Sequence, residues 1–194
     1  MSPTQKMKTF RLPVALDSAY GQCPGSTLGA LSRTSCSTEL QPAEGAYLGK
    51  WYEIAKLPAQ FEKGSCIEAN YSIRADGTIK VYNSEILKGK LRSIEGTAVV
   101  QDINEPAKLA VSFSYAVTPY TPYWVLSTDY EHSALVYSCT DVLRLFHFDF
   151  AWILSRMRSL PPETIQKAKD LFTNSSIDIS KMIMTQQQGC DPEL

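Results

Sequence analysis

The sequence predicts an all-β domain of eight short antiparallel strands followed by one α-helix, and three observations carry that prediction. Short segments of period-two hydrophobicity recur between residues 51 and 155, with turn residues between them. A single stripe of helical spacing follows the last of them. Residues 1–46, ahead of the first, are rich in Ser, Thr, Pro and Gly and hold no sustained period. Eight antiparallel strands at hairpin spacing form either a sandwich or a closed barrel, and eight is the number whose interior holds one small ligand.

The first strand is expected at residues 51–55. The second, 66–73, alternates cleanly: Ile67, Ala69, Tyr71 and Ile73 share one face, and Cys66, Glu68, Asn70 and Ser72 share the other. Asp76-Gly77 then makes a hairpin turn into 78–83. The same reading gives strands at 94–102, 107–115, 123–129, 134–140 and 146–155. The last of these carries Phe146, Phe148, Phe150, Trp152 and Leu154 as a row of large apolar side chains, and Leu109, Val111, Phe113 and Tyr115 form a second row. Two such rows line a cavity or fill a core. Tyr71 and Asn83 project a hydroxyl and an amide from otherwise apolar faces, where they can fix a polar group of a ligand.

Leu160-Pro161-Pro162-Glu163 opens the helix, because proline is tolerated in the first turn and an acidic residue complements the helix dipole there. Ile165, Ala168, Leu171 and Phe172 give it one apolar stripe, ending near Asn174. That stripe is expected to pack on the outside of the sheet near Ala151 and Ile153. The helix is expected at about 161–174. Residues 1–46 are expected to be a poorly ordered extension with an atypical or mispredicted start.

With 194 residues and 44% apolar content, the chain has room for one domain with a real core. Lys and Arg number 19 against 20 Asp and Glu, with no basic run, so nucleic acid is excluded as an expected partner. The five cysteines, Cys23, Cys36, Cys66, Cys139 and Cys190, are dispersed and form no C-x-x-C pair. That usage reads as disulfides in an oxidising compartment, with one thiol left over. Residues 1–22 nevertheless lack the apolar core of a secretory signal, so the true start is expected elsewhere.

The chain holds two histidines. His147 and Asp149 share a strand face but have no third ligand at a readable spacing, and His132 follows Glu131 in a tight turn. Neither a metal nor a cofactor is expected. No nucleophile elbow, phosphate loop or Rossmann glycine pattern is present, so no catalytic residue is assigned.

Three separated motifs give the fold a more specific identity. Gly49-Lys50-Trp51-Tyr52 stands at the first strand, Thr128-Asp129-Tyr130 closes the sixth, and Arg156 directly follows the eighth. Together they resemble the lipocalin signature. Further stretches, including Cys66 to Ser72, Pro122 to Leu126 and Ala134 to Thr140, are similar to extracellular lipid-carrying members of that family. The resemblance covers residues 47–190 and implies for them one domain, an eight-stranded up-and-down β-barrel with a C-terminal helix packed on its outside. It implies that Trp51 plugs the closed end while Arg156 lies across the indole as a cation–π pair, worth about 1–2 kcal/mol when shielded from water.

It also implies an extracellular carrier of a small hydrophobic ligand such as a steroid, a fatty acid like arachidonic acid, or a bilin-like molecule, associated with lipoprotein particles. Carried over by position, the ligand contacts fall on Tyr47, Tyr71, Asn83 and Trp152, to which the two apolar rows add Phe113 and Leu154. The disulfides fall on Cys66 with Cys190, and on Cys139 with a cysteine ahead of the barrel. Cys23 has the matching Cys-Pro context and is favoured, whereas Cys36 has the more nearly matching distance to Trp51. One family glycosylation site is kept at Asn70-Tyr71-Ser72, a second is lost at Asp102-Ile103-Asn104, and Asn174-Ser175-Ser176 is a new acceptor pattern. The alternatives are a lipid-modifying enzyme with a cavity thiol, for which Cys66 is the candidate, and a lipoprotein-surface module. The loop from Val117 to Pro122 carries exposed aromatic content suited to contact with a lipoprotein or membrane surface.

Overall fold

The computed structural model describes residues 8–9, 45–113, 120–142 and 146–190. Two-residue β1 (Lys8–Thr9) precedes the eight barrel strands: β2 (Gly49–Lys56), β3 (Ser65–Ile73), β4 (Ile79–Leu87), β5 (Lys90–Val100), β6 (Lys108–Ser112), β7 (Thr121–Thr128), β8 (Ser133–Val142) and β9 (Phe146–Ser155). Helix α1 (Pro162–Asn174) and the two-residue β10 (Ile183–Met184) follow. Each barrel strand pairs antiparallel with its sequence neighbour, and β2 pairs with β9, which closes the barrel. The barrel, the strand count and the external helix agree with the sequence reading. Of the expected N-terminal extension, only residues 8–9, 45 and 46 fall among the described ones.

The hairpin between β4 and β5 is longer than period-two reading suggested. Lys88 and Gly89 both adopt positive φ, at 52° and 72°, the two-residue turn whose twist matches the flanking strands. It carries pairing out to Leu87 with Lys90. Residues 90–95 are all exposed, so no hydrophobic alternation marks that end of β5. Further along β5, Gly96 is required by close approach, because a Cβ there would lie 2.6 Å from the Phe113 ring.

Two apolar clusters divide the core. Outside the barrel, Ala168 and Phe172 of α1 pack with Ala151 and Ile153 of β9 and with Leu135 and Tyr137 of β8, the surface expected for the helix stripe. Inside, Tyr47, Trp51, Tyr71, Val81, Leu109, Val136 and Leu154 fill the closed end.

The wall between β2 and β3 is split. These strands pair only from Gly49–Tyr71 to Tyr52–Glu68. Beyond Tyr52 the C-terminal segment enters the gap: Ile183 and Met184 pair with Lys56 and Ala55, Thr185 N–H donates to the Ile54 carbonyl, and Cys66 N–H donates to the Gln186 carbonyl. The buried Gln187 amide bridges both edges, donating to the Glu53 and Ile67 carbonyls at 2.9 and 2.8 Å. The Cys66–Cys190 disulfide fastens the segment across 124 residues of sequence. Cys139 is also disulfide-bonded, and both candidate partners, Cys23 and Cys36, lie outside the described residues.

Candidate ligand cavity and its closed end

The closed end is built by the three motifs. Gly49 adopts φ of 87°, a conformation that disfavours any other residue. Trp51 is fully buried, and its indole N–H donates to the Tyr47 carbonyl at 2.8 Å. The Arg156 guanidinium lies 3.7 Å from the centre of the Trp51 ring. Its three nitrogens donate to the carbonyls of Tyr130, Lys50 and Ala46 at 3.1, 2.7 and 2.9 Å. The Thr128-Asp129-Tyr130 turn presents one of those carbonyls. Thr128 Oγ1 donates to the Ser133 carbonyl and accepts from Tyr130 N–H, while Asp129 Oδ1 accepts from the N–H groups of His132 and Ser133. These bonds hold Tyr130 at φ of 65°.

Above this floor lies a tyrosine layer. The Tyr123 hydroxyl is 3.0 Å from that of Tyr47 and 2.7 Å from that of Tyr71. Burial, reinforced at Tyr47 by the Tyr71 charge and at Tyr123 by those of Tyr47 and Tyr71, pushes the Tyr47 and Tyr123 phenols well above their ordinary pKa; burial does the same for Tyr71. All three stay neutral at physiological pH.

Beyond the tyrosines opens a cavity of about 430 Å³. Its walls include Phe61, Ile67, Ile94, Val111, Phe113, Phe150 and Trp152, with Asn83, Glu62 and Tyr123 among the polar groups. Of the ligand contacts expected from sequence, Asn83, Phe113 and Trp152 stand in the wall, joined by Val111 and Phe150 from the two apolar rows. Tyr47, Tyr71 and Leu154 lie in the buried cluster beneath it, the tyrosines reaching the wall through the Tyr123 hydroxyl. The Asn83 Oδ1 is buried and has no hydrogen-bond partner among the described residues. From the two apolar rows, Phe148 is exposed and Leu109 is buried in the floor, while Phe146 and Tyr115 have no described side chain.

One polar feature was missed from sequence. Lys56 and Glu53, both almost fully buried, stand in the split wall with Nζ 3.2 Å from the Glu53 carboxylate. Lys56 also donates to the Glu62 carbonyl at 2.9 Å and lies 3.6 Å from its carboxylate. The Trp152 indole N–H donates to Glu62 Oε2 at 3.0 Å, and the Thr185 hydroxyl donates to Glu53. Burial, with the Glu62 charge adding to it against the pull of Lys56, pushes the Glu53 carboxyl up to about 7. The available signal was a charged residue directly after the apolar Ile54-Ala55 pair. Glu62 sits in a loop without periodicity and gave none.

Among the described residues no group of His, Cys, Asp and Glu is arranged to hold a metal ion. Asp149, paired in sequence with His147, accepts from the Tyr137 hydroxyl at 3.4 Å. Cys66 is not a thiol but half of a disulfide, so it is not available as a cavity nucleophile. Asn70 and Asn174 are both exposed.

Known proteins match this sequence and this fold. Residues 45–187 match the family model described as a lipocalin-like domain. Over 145 residues the chain is 54% identical to apolipoprotein D of Bos taurus, covering 74% of this chain and 76% of that one. It is 35% identical over 159 residues to temperature-induced lipocalin-1 of Arabidopsis thaliana, covering 76% and 80%. Among solved structures, insecticyanin of the tobacco hornworm Manduca sexta superposes with a TM-score of 0.67 at 28% identity over 87% of each chain. Lobster apocrustacyanin A1 gives 0.67 at 27% identity over 78% of this chain and 83% of that one. With the Trp51–Arg156 closure, the barrel topology and these matches in agreement, the chain belongs to the lipocalin family and closely resembles apolipoprotein D.

Proposed function

We propose that the protein is an extracellular carrier that holds one small hydrophobic molecule inside the barrel. The observation that carries this reading is the cavity of about 430 Å³, which is walled mainly by aromatic and aliphatic side chains and stops above a sealed floor. A ligand burying about 300 Å² of apolar surface gains about 7 kcal/mol before the costs of ordering. Steroids, fatty acids such as arachidonic acid, and bilin-like molecules fit this chemistry. Asn83 Oδ1 and the Tyr123 hydroxyl supply the polar contacts, and Phe113 and Trp152 the apolar ones. The disulfides and the resemblance to apolipoprotein D support an oxidising, extracellular setting, with Asn70 as the glycan acceptor. Mass spectrometry of lipids extracted from protein isolated from its native tissue tests the reading. A single hydrophobic species at near-equimolar amount is expected, and protein that consistently carries none argues against it.

Exposed Phe61 in the cavity lining, with exposed Leu91 and Tyr120 next to lining residues Arg92 and Thr121, favours a second role for the mouth of the cavity, contact with a lipoprotein or membrane surface. Residues 117–119 of the expected contact loop lie outside the described residues. Tyr120→Asp is expected to weaken binding to lipid vesicles, and unchanged binding removes this role.

A further inference from the structure

We infer that the cavity selects a neutral lipid alcohol over a free fatty acid, and that Glu62 is the residue that determines this preference. The inference rests on the carrier reading and narrows the ligand class. Glu62 lines the cavity with its side chain about 14% exposed, and its carboxylate is oriented by the Trp152 indole N–H at 3.0 Å and by Lys56 at 3.6 Å. Those two contacts leave acceptor capacity on a carboxylate, which has about four lone-pair sites. Across the same lining, Asn83 offers a buried, unpartnered Oδ1. The cavity also holds Glu85, whose Oε2 is anchored by the N–H groups of Lys63 and Gly64 at 3.1 and 2.7 Å.

The balance of charge points the same way. Lys56, the cation nearest Glu62, is already shared with buried Glu53. Lys56 stands behind the lining and not in it; the cation among the lining residues, Arg92 of β5, is exposed to solvent. A ligand carboxylate taken into the cavity therefore meets fixed negative charge in a setting of low dielectric, where like charges cost most. A hydroxyl carries no charge and donates its one proton to the Glu62 carboxylate or to Asn83 Oδ1, an acceptor otherwise buried unpaired. A methyl ester, with no donor, gains neither benefit.

The test is a matched series at pH 7.4: oleyl alcohol, oleic acid and methyl oleate, titrated into the full-length protein with tryptophan fluorescence as the readout. The alcohol is expected to bind at least tenfold more tightly than the acid or the ester. In Glu62→Gln, which keeps an oxygen for the Trp152 N–H, the alcohol-to-acid preference is expected to fall below threefold, chiefly because the acid binds better. Near-UV circular dichroism confirms that the variant retains its packing, and the wild-type series stands without it. Wild-type protein that binds the acid as tightly as the alcohol overturns the inference, as does a preference unchanged in folded Glu62→Gln. Saturable binding of the acid in those cases leaves the carrier reading intact, whereas absence of binding by all three compounds overturns the inference and counts against the carrier reading as well.

Discussion

Arg156→Lys separates the structural role of the closed end from the binding role of the cavity. Arginine covers the Trp51 ring at 3.7 Å and donates to three carbonyls carried by separate residues, Tyr130, Lys50 and Ala46. Lysine keeps the charge but offers no planar face and cannot reach three divergent acceptors. The stacking lost is worth about 1 kcal/mol at a partly exposed site. Loss of the shielded bond to Tyr130 costs about 1 kcal/mol, and the bonds to Lys50 and Ala46, nearer water, cost about 0.5 kcal/mol together because water replaces them. The sum is about 2–3 kcal/mol. For a domain of this size that is a fall in Tm of about 5–10 °C. Urea denaturation followed by far-UV circular dichroism measures the first quantity, and ligand titration under native conditions measures whether the cavity changes. Affinity is expected to stay within threefold, because Arg156 does not line the cavity. A stability loss below 1 kcal/mol, or a tenfold loss of affinity in a protein of unchanged stability, refutes the reasoning.

Trp51→Ala should lower stability by about 3–5 kcal/mol, as large-to-small core changes do, with denaturation midpoints as the check and a loss under 1 kcal/mol as the contrary result. Cys190→Ser frees the segment that fills the split between β2 and β3; the chain-entropy model gives about 4–5 kcal/mol for a loop of 124 residues. Hydrogen exchange at Cys66 N–H and Thr185 N–H should accelerate in that variant, and unchanged protection of both contradicts the wedge role. Glu53 imposes a pH dependence. Its folded pKa is raised from 4.5 to about 7, so its favourable contribution is complete below about pH 4.5 and is lost as pH rises through about 7. The loss amounts to about 3 kcal/mol at most. Urea denaturation at pH 5 and pH 8 should show this decline in wild-type protein and a flatter profile in Glu53→Gln; equal slopes in the two proteins argue against it.

Much of the fold was legible because its signals are local or carried by rare residues. The Trp51, Thr128-Asp129-Tyr130 and Arg156 motifs are spaced across the chain, yet each residue type has one geometric task in the floor, so the pattern reads as a unit. The helix declared itself by Pro162, Glu163 and a stripe that ends at Phe172. The C-terminal segment did not, because Ile183 and Met184 have no strand periodicity and gain their pairing only where β2 and β3 diverge. The Glu53–Lys56–Glu62 cluster was hidden for a related reason. Glu53 stands among buried apolar neighbours but faces a gap filled by Thr185 and Gln187, 132 and 134 positions later, and no local pattern encodes those partners. Tyr123 stood in a readable strand, but its bridging of the Tyr47 and Tyr71 hydroxyls depends on barrel closure.

The measurement that bears most directly on the carrier reading is the tryptophan fluorescence of wild-type and Trp152→Ala protein titrated with a steroid, a fatty acid, a fatty alcohol and a bilin. Trp152 lines the cavity, whereas Trp51 is sealed in the floor. At least one of these ligands should change the wild-type emission saturably at one-to-one stoichiometry. In Trp152→Ala that signal should disappear and calorimetry should show affinity reduced by tenfold or more. Failure of every ligand to bind wild-type protein, or undiminished affinity in Trp152→Ala, contradicts the account.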